Sequence, residues 1–165
     1  MKKLIVPVFL CLFFLSGCGK SKAEPPKFDF SATCEADGFS GEIISDSSKP
    51  IEVKTVTPKA LSGMTAKAGN SVVLVNFSDI EKSSEDFPAI RNFSCSKAAL
   101  MLDALRSAEL NLSAIDEERV AYTAETALGE LSLVTDMMGN ILAIRQENSG
   151  FTVRLCHQDS RNTEP

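Results

Sequence analysis

Phe28, Phe30, Ala32 and Cys34 alternate with Asp29, Ser31 and Thr33. That period of two predicts a half-buried strand. Phe39 to Ile44 predicts a second strand, with Asp37-Gly38 as the tight turn between them. Ser45 to Pro50 reads as a polar loop, and the β-branched stretch Ile51 to Thr57 as a strand that stops at Pro58. Val72 to Phe77 is the most apolar strand candidate in this half. Ser78-Asp79-Ile80-Glu81 has the spacing of a capping box, so a short helical turn is expected after it. Phe87, Ile90 and Phe93 are expected to pin the next stretch to the core.

From Lys97 to Ala108 the period changes to that of a helix, with Ser96 as its N-cap. Ala98, Met101, Leu102, Ala104, Leu105 and Ala108 fall on one broad face, and Lys97, Asp103, Arg106 and Ser107 on the other. A β-meander follows, with strands expected at 119–126, 130–135, 141–146 and 151–157. Turn chemistry at 136–140 and 148–150 separates the last three. Leu110 to Ala114 reads either as a further strand or as the lead-in to a helix capped at Ser113 and reaching Tyr122. The expected fold class is α+β: a curved antiparallel sheet, meandering in its C-terminal half, with one main amphipathic helix packed on it.

The start of the chain obeys a different pattern. Lys2 and Lys3 precede an apolar run from Leu4 to Leu15, then Ser16, Gly17 and Cys18. Charge, apolar run and small residues form a signal peptide. An apolar helix of about twelve residues rises only about 18 Å, short of the ~30 Å hydrocarbon core, which argues against a membrane span. Leu15-Ser16-Gly17-Cys18 resembles the lipobox of bacterial lipoproteins. The resemblance covers residues 1–18 and implies cleavage after Gly17 and lipid attachment at Cys18. Gly19, where aspartate would favour the inner membrane, implies the outer membrane, periplasmic side. An ordinary secretory signal is the competing reading, and it would not require the cysteine.

These readings divide the chain. Residues 1–17 are signal peptide, 18–27 the lipidated cysteine and a flexible tether, 28–157 a single α+β domain, and 158–165 a disordered tail. The tether contains Pro25-Pro26, which favours extended geometry. What remains after cleavage is roughly one ordinary domain. The 165-residue chain has formal charge −5, and loss of Lys2 and Lys3 makes it more acidic. That balance argues against nucleic acid as a partner and against electrostatic docking on anionic lipid.

Of five cysteines, Cys11 leaves with the signal and Cys18 takes lipid. Cys34, Cys95 and Cys156 remain, in a compartment where disulfides persist. Strand parity puts Cys34 on the apolar face and Cys156 on the opposite one. Cys95 precedes the helix that covers the apolar face. Cys34–Cys95 is the favoured bridge and Cys34–Cys156 the alternative. A bridged loop of about sixty residues contributes roughly 4 kcal/mol. Cys95 at a helix start could instead be a reactive thiol, a role for which no Cys-x-x-Cys is present.

His157 is the single histidine. Its neighbour Cys156 points to the other side of the strand, so the two cannot act as nucleophile and base. A surface role is expected for His157, and zinc ligation with the cysteines lacks a suitable spacing. Met137-Met138 reads as a hairpin tip with one methionine packed down, and Asp116-Glu117-Glu118 as a solvated turn. Phosphate-binding glycine loops, zinc-protease motifs and nucleophile elbows are absent from the sequence. No catalytic residue, metal ligand or cofactor is therefore assigned. The expected function is a non-enzymatic, lipid-anchored envelope protein that binds a protein partner in assembly, inhibition, immunity or exclusion. The alternative is a carrier of an apolar ligand or lipid in a half-barrel cavity. A thiol or hydrolytic enzyme is the third class.

Overall fold

The computed structural model describes residues 23–157. The expectations for the signal peptide, Cys18, Gly19 and the tail at 158–165 lie outside these residues.

Eleven strands form one antiparallel sheet among the described residues. Six precede the helix: β1 (Phe30–Ala36), β2 (Phe39–Ser45), β3 (Ile51–Thr57), β4 (Thr65–Gly69), β5 (Val72–Phe77) and β6 (Ile80–Ser83). The helix α1 spans Ser94–Ser107. Five strands follow: β7 (Asn111–Ile115), β8 (Arg119–Thr126), β9 (Gly129–Asp136), β10 (Ile141–Gln146) and β11 (Thr152–His157). Their spatial order is β6-β5-β4-β3-β2-β1-β11-β10-β9-β8-β7. The protein is thus two meanders, one on each side of the helix in sequence, joined where β1 pairs with β11. The meander expected only in the C-terminal half describes both halves. The sheet stays open, with β6 and β7 as its edges.

Alternation builds the core. Ala32, Cys34, Ile43, Ile51, Val53, Leu131, Leu133, Val153 and Leu155 all turn inward, while their strand neighbours face out. The helix lies against β2 to β5 and also reaches β8 and β10. Met101, Leu102 and Leu105 are fully buried there, each contributing about 1.5–3 kcal/mol of apolar burial. Ala66 and Ala68 on β4 are small enough for the helix to approach that strand closely.

Several expectations need correction. Ser78-Asp79 begins no helical turn. Both residues adopt left-handed φ (50° and 65°), closing a two-residue hairpin that pairs Phe77 with Ile80. The helix starts at Ser94, not Lys97, after an extended Phe93 whose carbonyl accepts from Lys97 N. Ser96 is therefore inside the helix and buried, and does not cap it. Asp103, placed on the polar face, is buried because it binds Arg106 and the Ser71 amide. Of the three expected core pins only Ile90 is buried; Phe87 and Phe93 are 49% and 43% exposed.

The segment before β1 is attached earlier than the expected tether boundary. Glu24 N donates to Met137 O at 3.0 Å, and Lys27 N to Gly139 O at 2.9 Å. This strap lies along the tip that joins β9 to β10.

Candidate functional site

Cys34 and Cys156 fall where strand parity puts them, while Cys95, expected just before the helix, lies within its first turn. Cys34 sits on β1, with Leu155 of β11 on one side and Gly41 of β2 on the other. A Cβ at Gly41 would come within 2.5 Å of Lys54 O and 2.9 Å of the Phe39 ring, so this position is filled by neighbours. Cys34 and Cys95 are both buried in the same core, and Cys156 is exposed on the other face. All three are free thiols in the structure.

Burial pushes the Cys34 thiol up to about 12, with a bond from Gly41 opposing and the nearby Cys95 adding to the rise. The Cys95 thiol is also raised. Burial outweighs the Thr55 and Ser96 hydroxyls and the backbone N–H groups of Ser96 and Cys95 that face its sulfur. Neither hydroxyl makes a well-formed hydrogen bond. The helix start therefore does not make Cys95 a thiolate at neutral pH, because desolvation exceeds the help from the donors.

His157 is tied up structurally. Its Nε2 lies 2.6 Å from Ile141 O, and its ring meets Phe30 edge-on with centroids 5.2 Å apart. Asp116 accepts from the amides of Glu118 and Arg119, which organises the acidic run as a turn. Those bonds hold its carboxyl below the usual range. Met138 is 62% exposed at its hairpin tip, with Met137 half-buried beside it. No three metal-ligating side chains converge among the described residues.

Open clefts surround the start of α1. One of about 470 Å³ lies between Arg91, Lys97 and Met101 and the β8–β9 turn at Leu128. A second of about 620 Å³ lies by Asp37, Phe151 and Arg154. A third of about 250 Å³ runs down to Thr55 and Cys95. None is an enclosed apolar chamber, since the helix fills the concave side of the sheet.

The two edges of the sheet differ sharply. The edge strand β6 is four residues long, carries Glu81 and Lys82, and has the 3-10 turn Pro88–Asn92 folded against it. Charge and cover of this kind blunt an edge. Among the described residues the β7 edge has neither, and only a bulge at Ser113 interrupts its ladder with β8. Its residues Asn-Leu-Ser-Ala-Ile are uncharged and every one is exposed. Leu112 pairs with Tyr122 and Ile115 with Val120, with a bulge between, so both leucine and isoleucine share the inward-facing side. Each is nevertheless 57% exposed. The sequence left this stretch open between a strand and the lead-in to a helix, and showed no edge position. Only the strand order reveals that position.

No known family model matches the chain, and a search of curated proteins finds no relative. No helix of the described residues is long and apolar enough to cross a membrane.

Proposed function

We propose that this is a non-enzymatic lipoprotein, anchored by lipid on Cys18 to the periplasmic side of the outer membrane, whose domain binds a protein partner by strand addition at β7. The carrying observation is the contrast between the guarded β6 edge and the bare β7 edge. An unpaired strand offers a row of N–H and C=O groups to an extended peptide, and its exposed side chains select among peptides.

Charge narrows the partner. Glu109 precedes β7, and Asp116, Glu117 and Glu118 follow it, all exposed. An antiparallel pairing of two copies through β7 would bring these acidic ends together. The fitting partner is instead an extended segment with alternating apolar residues and Lys or Arg at its flanks. The helix occupying the concave side favours this reading over the apolar-ligand carrier. The burial of Cys34 and Cys95 and the engaged His157 support a non-enzymatic role.

Cys34–Cys95 remains the proposed bridge. Its support is that both residues enter one core while Cys156 faces away.

The test is affinity purification of the full-length protein from solubilised envelopes, beside a Leu112→Lys/Ile115→Lys variant. The expected result is a partner recovered with the wild type and lost with the variant, while thermal stability stays unchanged. A partner retained equally by both overturns the edge as its site.

A further inference from the structure

The strap and the hairpin tip orient the domain. Glu24 and Lys27 hydrogen-bond to Met137 and Gly139, and Lys27 Nζ pairs with Glu24 at 2.7 Å. The tip is shaped to receive the strap. Gly139 has φ +81°, and a Cβ there would run into Pro25 O. Glu24 lies six positions after Cys18, a reach of at most about 22 Å even when fully extended. The opposite end of β9, at the Ala127-Leu128 turn, lies eight residues of strand away, about 26 Å.

The chemistry of the tip suits a lipid surface. Met138 stands out from it. The Asp136 carboxylate is spent inside the turn, accepting from Met138 N, Asn140 N and Asn140 Nδ2. Glu24 and Lys27 neutralise each other. The exposed methionine thus sits on a tip whose own carboxylates are engaged, beside the exposed acidic turn Asp116-Glu117-Glu118 that the Arg119–Asp136 pairing brings to the same end of the sheet.

We infer that the β9–β10 tip is the membrane-facing end of the domain, with Met138 touching the headgroup layer. This rests on the reading of Cys18 as the lipid anchor. It turns the cleft between Arg91, Lys97 and Leu128, which adjoins the β8–β9 turn, away from the bilayer.

The test uses full-length lipidated protein carrying Cys156→Ser, with Met138→Cys or Ala127→Cys labelled by an environment-sensitive fluorophore. Each is placed in phosphatidylcholine vesicles that contain lipids spin-labelled near the headgroup. The expected result is quenching several-fold stronger at 138 than at 127. Mass spectrometry of the Cys18 peptide from the same sample separates the two ways to fail. Acylated Cys18 with equal quenching at both sites, or stronger quenching at 127, overturns the orientation alone. Unmodified Cys18 overturns the anchor and the orientation with it.

Discussion

Arg106 Nη2 donates to Asp103 Oδ1 at 3.1 Å, one turn earlier on the same helix. The second Asp103 oxygen accepts from Ser71 N, and Arg106 Nη1 donates to the carbonyls of Asp46 and Lys49. One ion pair thereby ties the end of α1 to the β2–β3 and β4–β5 turns. Removing Arg106 leaves Asp103 buried without its cation. Arg106→Ala is expected to cost about 2–3 kcal/mol, the scale of a charge-assisted bond in a partly buried site. Urea unfolding with an unchanged m-value checks this; a loss below 1 kcal/mol counts against a structural role for the pair.

Thiol chemistry separates the cysteines. In native protein from the envelope, an alkylating reagent is expected to modify Cys156 and to leave Cys34 and Cys95 untouched, because these two are buried. Bridge formation removes two protons and two electrons, which a disulfide-bearing oxidant takes up. After unfolding without reductant, the proposed bridge therefore still leaves Cys156 as the single alkylated residue of the three. Three alkylated cysteines in the mass spectrum contradict the bridge.

The hairpin tip sets an acid dependence. Burial pushes the Asp136 carboxyl up, but bonds from the Asn140 side chain and from the amides of Asn140 and Met138, with the charge of His157, bring it below its ordinary value. Asp46 is held down to about 2 by the Ser48 hydroxyl and amide and by Lys49. A carboxylate depressed in the folded state stabilises above its unfolded pKa, and that contribution is lost as pH falls through the folded value. The melting temperature is therefore expected to drop as pH falls below about 4. Asp136→Asn should melt lower than wild type at pH 7, with the gap narrowing in acid. A gap constant from pH 7 to pH 2 contradicts the assignment.

Gly139→Ala tests the seat of the strap. Left-handed φ and the encounter with Pro25 O both oppose a side chain, so the cost is expected to exceed about 1 kcal/mol. Hydrogen exchange at the Glu24 and Lys27 amides should accelerate. Unchanged protection there contradicts strap docking at the tip.

Apolar strand runs, period-two alternation and glycine-bearing turns made most strands legible in the sequence: β1 to β3, β5, and β8 to β11. β4 was hidden because its inward residues, Ala66 and Ala68, carry little hydrophobic signal. β6 was hidden because Ser78 and Asp79 serve a capping box and a left-handed turn equally well, and only pairing with Phe77 decides. The burial of Asp103 depends on Ser71, 32 positions away, which no local period records. The parity of Cys34 and Cys156 was legible from two strands alone. That β7 is an open edge was not, since edge status follows from the order of all eleven strands.

The most direct test of partner binding through β7 is site-specific photocrosslinking in living cells. A photoreactive residue is placed at Ser113 on β7 or at Glu81 on β6, and the adducts are compared. The account predicts one discrete adduct from Ser113, mapped by mass spectrometry to an extended segment flanked by Lys or Arg, and no such adduct from Glu81. No adduct at Ser113, or the same adduct from both edges, would contradict it.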